Sequence, residues 1–460
     1  MQQDSEDQAP TRAQWRMVAI LCLVNAVAFI DRTALPLLVQ PIKRDLGISD
    51  TQMSLLIGAA FIVTYALGGA LVGLLVDKFS RRRILAGGIG LWGAATIFCG
   101  TASSFMTLFL GRCGVGAGEA ACGPSSMSLI RDTFSPRFRG RAVAIWAMGA
   151  GLGGGCALLA GGTILHMVGE SGSVSLPLLG VVQGWQLVLL ACGAISIPVA
   201  LLVFTFPEPK RSGLQGGAST GSTSAMSNLR DRWPVFVPLF IANAATIMLW
   251  TGYSAWIPAL MGRTWKIPAG EIGLILGLIV LVLSTSSQFI AGFLTDITRR
   301  RHGLAAVPLL GAAISACVMV PAYLIPHAQS AFATWCLIAV FNLGASSLFT
   351  VGTATVVHLS PTAAVGKITG LHFAWVGITG SAVAPTLIAL VADKGYGGGP
   401  DALGNALSSI SGLLAMVGCI GLWVVWRQLR RGLVPVSEGS QADVRLAAAL
   451  PAARSSNVRL

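Results

Sequence analysis

Twelve stretches of apolar sequence, each long enough to cross a bilayer, follow one another along this 460-residue chain. Crossing the hydrocarbon core takes roughly 20 apolar residues in helical form. Candidate spans are 16–38, 51–76, 83–102, 105–131, 139–165 and 184–206, then 234–261, 269–296, 303–325, 329–357, 363–392 and 403–427. Such a chain has little choice of fold, because in lipid every backbone N–H and C=O must be bonded within the protein, which leaves helices or a closed barrel. Barrel strands would recur as segments of about ten residues with alternating polarity, and the sequence has none. The expectation is an all-α integral membrane protein. Charged residues make up 11% of the chain, against about a quarter in a soluble domain. The 56 glycines suit membrane helices whose backbones approach closely.

The net charge of +13 would suggest nucleic acid if the cations formed one patch, but they sit at the ends of the apolar runs. With the N-terminus inside, the inner segments carry 21 Lys and Arg, and the outer loops only Lys43, Arg44, Arg263, Lys266 and Lys394. That asymmetry obeys the positive-inside rule for an even number of spans. Both termini are therefore expected in the cytoplasm. The opening segment, 1–15, is expected to be cytoplasmic, and its first part, Met1 to Pro10, is acidic and polar without the basic flank and cleavage site of a secretory signal. Residues 207–233 hold Gly-Leu-Gln-Gly-Gly-Ala-Ser-Thr-Gly-Ser-Thr-Ser and read as a flexible linker between two six-span halves, 16–206 and 234–431. The tail, 432–460, is expected to be disordered. The nine cysteines all fall in apolar runs without a CxxC pair and read as small buried hydrophobes.

The halves echo each other. Gly73-Leu-Leu-Val-Asp77-Lys-Phe-Ser-Arg81-Arg82-Arg83 ends the second span, and Gly292-Phe-Leu-Thr-Asp296-Ile-Thr-Arg299-Arg300-Arg301 ends the eighth. A duplicated, almost wholly apolar chain is how many secondary transporters are built, with a site at the interface of two similar bundles. The arginines serve topology, but an aspartate does nothing for orientation, so topology does not explain Asp77.

Charges inside the spans point to chemistry. Asp31 and Arg32 lie in the first span, Arg112 and Glu119 in the fourth. Each costs about 2.5–3.5 kcal/mol at mid-membrane even on the lenient insertion scale, so such groups face a cavity and pair with one another. Arg112 and Glu119 are seven residues apart, about 10 Å along one helix face. Asp31 or Glu119 can carry a proton across, while Arg32 offers a fork of donors to a carboxylate or phosphate. A buried ion pair that merely fixes span 1 against span 4 is the structural alternative.

These residues resemble a known family along almost the whole chain. The two loop strings are similar to the signature of the major facilitator superfamily, in which the aspartate engages positive charge and a neighbouring helix N-terminus and latches the inner gate. Ile-Asp31-Arg32, the following Pro-Ile-Lys-Arg-Asp-Leu-Gly-Ile-Ser-Asp-Thr-Gln, and Gly-Val-Gly-Ala-Gly-Glu119-Ala resemble the bacterial spinster-like branch. That resemblance implies two six-helix bundles in an inner membrane and proton-linked movement of lysolipids or sphingolipid-like anions. It assigns coupling and binding to Asp31, Arg32 and Glu119. The organic anion and cation symporter branch has a similar Asp-Arg and Gly-Glu, so small organic or aromatic acids stay open as substrates. A receptor or scaffold that binds without translocating is a third reading.

The second half offers neutral groups: Trp250, Tyr253 and Trp256 in span 7, Gln288 in span 8, Asn342 in span 10, and His372 with Trp375 in span 11. Trp250, Tyr253, Asn342 and His372 are the binding candidates on this side, as an aromatic wall facing the charged one. The stretch Gly149 to Gly155 formally contains GxGxxG, but a dinucleotide site needs a strand and a βαβ unit, so close helix packing is expected. The chain has no HExxH, GxSxG or P-loop, which argues against an enzyme. His358 and His372 lie fourteen residues apart with no third ligand, so no metal or other cofactor is expected. A monomer with protons, lipids and a small anion as partners satisfies the sequence.

Overall fold

The computed structural model describes residues 10–169, 172–177, 180–209, 232–360, 365–399 and 401–431. Most of the expected linker, the expected tail and residues 1–9 lie outside the described residues. The first half comprises α1 (Arg12–Leu37), α2 in two pieces (Asp50–Ile57 and Ala59–Lys78), α3 (Arg81–Gly100), α4 in two pieces (Phe105–Glu119 and Cys122–Thr133), α5 (Pro136–Val168) and α6 (Gly184–Leu202). The second comprises α7 (Trp233–Thr264), α8 (Ala269–His302), α9 (Ala306–Leu324), α10 (Ala331–Leu359), α11 (Lys367–Gly395) and α12 (Ala402–Arg430). A short helix, Val39–Leu46, extends α1, and a two-stranded hairpin (β1, Ser173–Leu176; β2, Gly180–Gln183) interrupts the all-helical plan between α5 and α6.

Among the described residues, 11 helices are long and apolar enough to cross a membrane. The twelfth expected span is α4, which is broken at Ala120 and Ala121. Pro124 explains the break, since a proline inside a helix lacks the N–H and crowds the carbonyl four residues back, here that of Ala120. The break falls directly after Glu119 and frees the helix to tighten there: Ala121 N–H reaches Gly118 O at 3.2 Å, three residues back.

Glycines set how closely the helices pass. Gly116 faces α2, where a Cβ would meet Phe61 O at 2.3 Å, and Gly118 faces α3, where it would meet Trp92 N at 2.6 Å. The Gly-Val-Gly-Ala-Gly run thus draws two neighbours in around Glu119. The glycine stretch of α5 has two working faces. Gly149 and Gly153 lie against Cys22 and Ala26 of α1, while Gly151 and Gly155 lie against Thr285 and Leu281 of α8. That second face belongs to the seam between the halves, where α8 widens into π turns at Ile279–Ser284. Wide turns of this kind are frequent at functional positions.

At Gly162 the seam is backbone against backbone: a Cβ would meet Gly270 O and Leu274 N, both at 2.8 Å. Gly162→Val should force α5 from α8 and cost about 1–3 kcal/mol, as overpacking does. The check is the melting temperature in detergent, with Gly90→Ala as control, because a Cβ at Gly90 meets nothing within 4 Å. A Gly162→Val protein that melts with wild type would contradict the tight seam.

The expectation that the cysteines are buried needs correction at three positions. Cys156, Cys317 and Cys336 are exposed on the helix surfaces, where lipid tails are as apolar as a protein core, so an apolar run does not distinguish the two environments. All nine are free thiols.

Candidate functional site

Four helices of the first half bring the intramembrane charges together. Glu119 is fully buried at the end of the first piece of α4, and its Oε2 accepts from Arg32 of α1, Nε at 2.7 Å and Nη2 at 2.6 Å. The other carboxylate oxygen, Oε1, is buried without a hydrogen-bond partner. Arg32 keeps 29% of its side chain exposed, and its guanidinium lies over the rings of Phe61 (4.6 Å), Tyr65 (4.9 Å) and Phe29 (5.0 Å). Such stacking suits arginine, whose flat, weakly hydrated head binds aromatic faces as well as anions. Asp31, one residue earlier, points elsewhere. Its Oδ2 accepts from Thr96 Oγ1 of α3 at 3.1 Å, and its Oδ1 has no partner. Arg112, also buried, donates from Nε to Leu56 O of α2 at 3.3 Å and lies 5.5 Å from the Phe61 ring.

The arrangement is asymmetric. Arg32 is satisfied on one side by Glu119 and open on the other, while each of the two buried carboxyls keeps one oxygen with no donor. Phe61, Tyr65 and Thr96 were not among the residues expected from sequence. The signal that would have found two of them is their spacing, since Phe61 and Tyr65 are four apart and so share a face of α2.

The second half contributes differently from expectation. Tyr253 is fully buried among α7, α9 and α10, its hydroxyl donating to Ala322 O and its ring 4.6 Å from that of Phe341. Trp256 is likewise turned inward, donating to Pro385 O of α11 at 3.1 Å. Asn342 joins a polar seam between α8 and α10: it accepts from Ser284 Oγ at 3.2 Å and donates to Ile338 O, beside a Ser287–Ser346 contact of 2.6 Å. Trp250 and His372 are linked by rings, in the order Trp250, Phe349, Phe373, His372 and Phe240, at centroid spacings of 5.6–6.4 Å. The structure therefore keeps Trp250 and His372 in one aromatic ladder across α7, α10 and α11, and places Tyr253 and Asn342 in contacts within their own bundle.

At the arginine-rich end, Arg81 is the hub. Buried at the start of α3, it pairs with Asp132 of α4, contacts Glu208 from Nε at 3.2 Å and donates to Pro209 O at 2.6 Å. Burial alone would raise the Glu208 carboxyl, but the Ser80 hydroxyl and the amide and guanidinium of Arg81 outweigh it and hold the group below the usual carboxylate range. Arg82 donates to Phe206 O at 2.7 Å, and Arg83 is exposed. The side chain of Asp77 lies outside what the structure describes. Gly73 lines a cleft of about 270 Å³ with Arg131 of α4. In the second copy, Gly292 faces Thr350 of α10, Asp296, Arg300 and Arg301 are exposed, and Arg299 is half-buried.

The halves meet closely at the opposite end. Arg263, at the end of α7, holds Asp50 of α2 with both nitrogens, Nη1 to Oδ2 at 2.7 Å and Nη2 to Oδ1 at 2.5 Å, and Lys43 pairs with the same carboxylate. Next to it, the amide and hydroxyl of Thr51 donate to Asp393 Oδ2 of α11 at 3.2 and 2.6 Å. Both contacts join one half to the other, and sequence reasoning found neither.

Comparison with known proteins bears on the fold and the family. Over 444 residues the chain is 27% identical to a Mycolicibacterium smegmatis protein named MFS-type efflux pump, which covers 94% of this chain and 97% of that one. It shares 26% identity over 329 residues with the sphingosine-1-phosphate transporter SPNS2 of Danio rerio, covering 65% of this chain and 61% of that one. Its fold is similar to the crystal structure of a bacterial homologue of the human lysosomal transporter spinster, in an inward-facing and unoccupied conformation. There the TM-score is 0.77 at 21% identity, over 92% of this chain and 98% of that one. The pattern described as the Major Facilitator Superfamily matches residues 21–262, more than half of the chain. With its spinster relatives and its twelve-span fold, the chain belongs to the major facilitator superfamily of membrane transporters.

Proposed function

We propose that the protein is a proton-coupled transporter of an amphiphilic or small organic anion, working by alternating access in a bacterial inner membrane with its arginine-rich end in the cytoplasm. The observation that carries the reading is Arg32, paired with the buried Glu119 on one side and exposed on the other. An anionic headgroup that takes Arg32 as its partner releases Glu119 from it, and a proton on the unpartnered Oε1 makes that exchange cheaper than leaving a bare carboxylate behind. Binding and protonation are thereby linked through one guanidinium. Asp31, with neither oxygen bonded to an arginine, is the second proton carrier. The aromatic ladder from Trp250 to Phe240 is the apolar wall for a chain or a ring.

The name of one relative, a sphingosine-1-phosphate transporter, fits an amphiphile. Symport of a small aromatic acid is the second reading, favoured by the same ladder, which would stack a ring as readily as an alkyl chain. Closure at the end opposite the arginines, by Arg263 with Asp50 and by Thr51 with Asp393, supports a cytoplasm-open state. In that state Gly73 and the arginine strings would serve as the gate that is parted.

The deciding measurement is anion binding by Arg32 variants. Thermal-shift titration with lysophospholipids, sphingoid phosphates, aromatic acids and sugar acids identifies the ligand class, since a ligand stabilises in proportion to its occupancy. Arg32→Ala should weaken binding of the stabilising anion by about tenfold to a hundredfold, the range for a charge-assisted contact of about 1.5–3 kcal/mol. Arg32→Lys should weaken it less. Equal affinity in wild type and both variants would remove Arg32 from the site.

A further inference from the structure

Six side chains of α12 line up along one edge of the molecule. Leu413, Met416, Ile420, Trp423, Arg427 and Arg430 follow one another at alternating intervals of three and four residues, the spacing of a single helix face. All six are exposed, while Gly418, Leu422 and Val425 behind them are buried. The stripe is an apolar run that ends on two guanidiniums at the arginine-rich end.

Membrane helices commonly end in arginine and tryptophan, but here the two are coupled. The Arg427 guanidinium lies over the Trp423 ring at 5.5 Å and that of Arg430 over Trp426 at 5.4 Å, and the two indoles are 6.4 Å apart. A ring engages the flat face of a guanidinium and leaves the N–H groups along its edge. Neither guanidinium has a hydrogen bond or an ion pair among the described residues. Carboxylates are missing from the surroundings as well, since α12 and the two helices it packs against most, α7 and α9, contain no Asp or Glu. Stacking also fixes where two long side chains point before a ligand arrives, which lowers the ordering cost of binding.

We propose that this edge of α12 is a binding site for an anionic phospholipid of the leaflet at the arginine-rich end. The phosphate accepts from the free edges of Arg427 and Arg430, whose planar forks of donors match it. An acyl chain lies along Trp423, Ile420, Met416 and Leu413. The lengths agree, because the ten residues from Leu413 to Trp423 rise about 15 Å, half of the roughly 30 Å hydrocarbon core and so the depth of one leaflet. Basic clusters beside a membrane span attract anionic headgroups in the same way; the indoles and the apolar stripe make this one a site for a whole lipid. It is separate from Arg32 and stands whatever anion is transported.

The test is native mass spectrometry of the full-length protein, delipidated in detergent and titrated with phosphatidylglycerol or phosphatidylcholine of the same acyl chains. The first phosphatidylglycerol should bind at least about tenfold more tightly than phosphatidylcholine, the gain expected where two cations meet one headgroup. Arg427→Gln with Arg430→Gln should remove that preference. Trp423→Leu with Trp426→Leu, which keeps both charges, should weaken it by about threefold or more. Arg12→Gln with Arg141→Gln, which takes two charges from exposed positions elsewhere at the same end, should leave it intact. Glycerol phosphate, the headgroup without its chains, should not displace the lipid. Equal affinity for the two lipids overturns the site, as does a preference that survives the double glutamine variant. A preference lost equally in the Arg12 and Arg141 control overturns it too, because net charge would then suffice. Displacement by glycerol phosphate overturns the part given to the acyl chain, and a preference unchanged in the leucine variant overturns the part given to the indoles.

Discussion

Replacing Glu119 by glutamine should abolish transport driven by a pH gradient, by at least about thirtyfold in initial rate, while counterflow exchange without a gradient survives in part. Glutamine keeps the shape and an acceptor for Arg32 but removes the group that a proton can leave and rejoin. The size follows from what the pair does. Removing one member of a fully buried ion pair costs about 3–5 kcal/mol, and each tenfold is about 1.4 kcal/mol. Arg32 is 29% exposed, so solvent takes up part of the loss, and melting should fall by only a few degrees. The measurement is uptake into liposomes with an imposed pH step, beside exchange of labelled substrate at equal pH. Undiminished pH-driven uptake by this variant would end the coupling role of Glu119. Asp31→Asn offers the parallel case: Thr96 can still donate to the remaining oxygen, so a loss of coupling there would come from the missing proton and not from a missing hydrogen bond.

Breaking the Asp50–Arg263 clamp should shift the conformational balance toward the state open at the arginine-poor end, by about tenfold in population. Two parallel N–H to oxygen bonds from one guanidinium to a carboxylate are each roughly twice as strong as a neutral hydrogen bond, and Asp50 is only 7% exposed in its side chain. The contact exists only while the halves are closed there, so its free energy enters the equilibrium between states directly. Spin labels placed across that end should report longer distances for Asp50→Asn and for Arg263→Gln. In the double variant the shift should be less than the sum, with a coupling of about 1–3 kcal/mol. Distances that stay at wild-type values in both single variants would show that the clamp follows closure without holding it.

The residues that announce the site in the sequence do so because charge within an apolar run is rare. Asp31, Arg32, Arg112 and Glu119 stand out for that reason alone, and the structure gathers them on neighbouring helices. What the run cannot reveal is pairing. Arg32 meets Glu119 across 87 positions, and which carboxyl it takes depends on a one-residue rotation around α1 that also sends Asp31 to Thr96. The aromatic wall was harder to read. Tyr253 and Trp250 are three apart on one helix, yet the hydroxyl of the first is used by a backbone carbonyl of α9, and backbone partners leave no mark in side-chain sequence. The Asp50–Arg263 clamp spans 213 positions and belongs to one conformation, so nothing local encodes it. The twelve spans were legible because the bilayer fixes their length, and the break in α4 was not, since Pro124 sits in a run that remains apolar on either side.

Gly73 has empty space beside it: a Cβ built there meets no atom within 4 Å. Gly69, Gly87 and Gly90 are open in the same way, whereas Gly58 against Ser381 and Gly162 against Gly270 are crowded, so the space beside Gly73 marks a stretch where no helix passes closely in this state. An alanine at 73 would be sterically free in this state, and any penalty it imposed would fall entirely on a different one. For the gate proposed above, Gly73→Ala therefore separates the two states: it leaves this one untouched, and a slower transport cycle would report a closer helix approach when the arginine-rich end shuts.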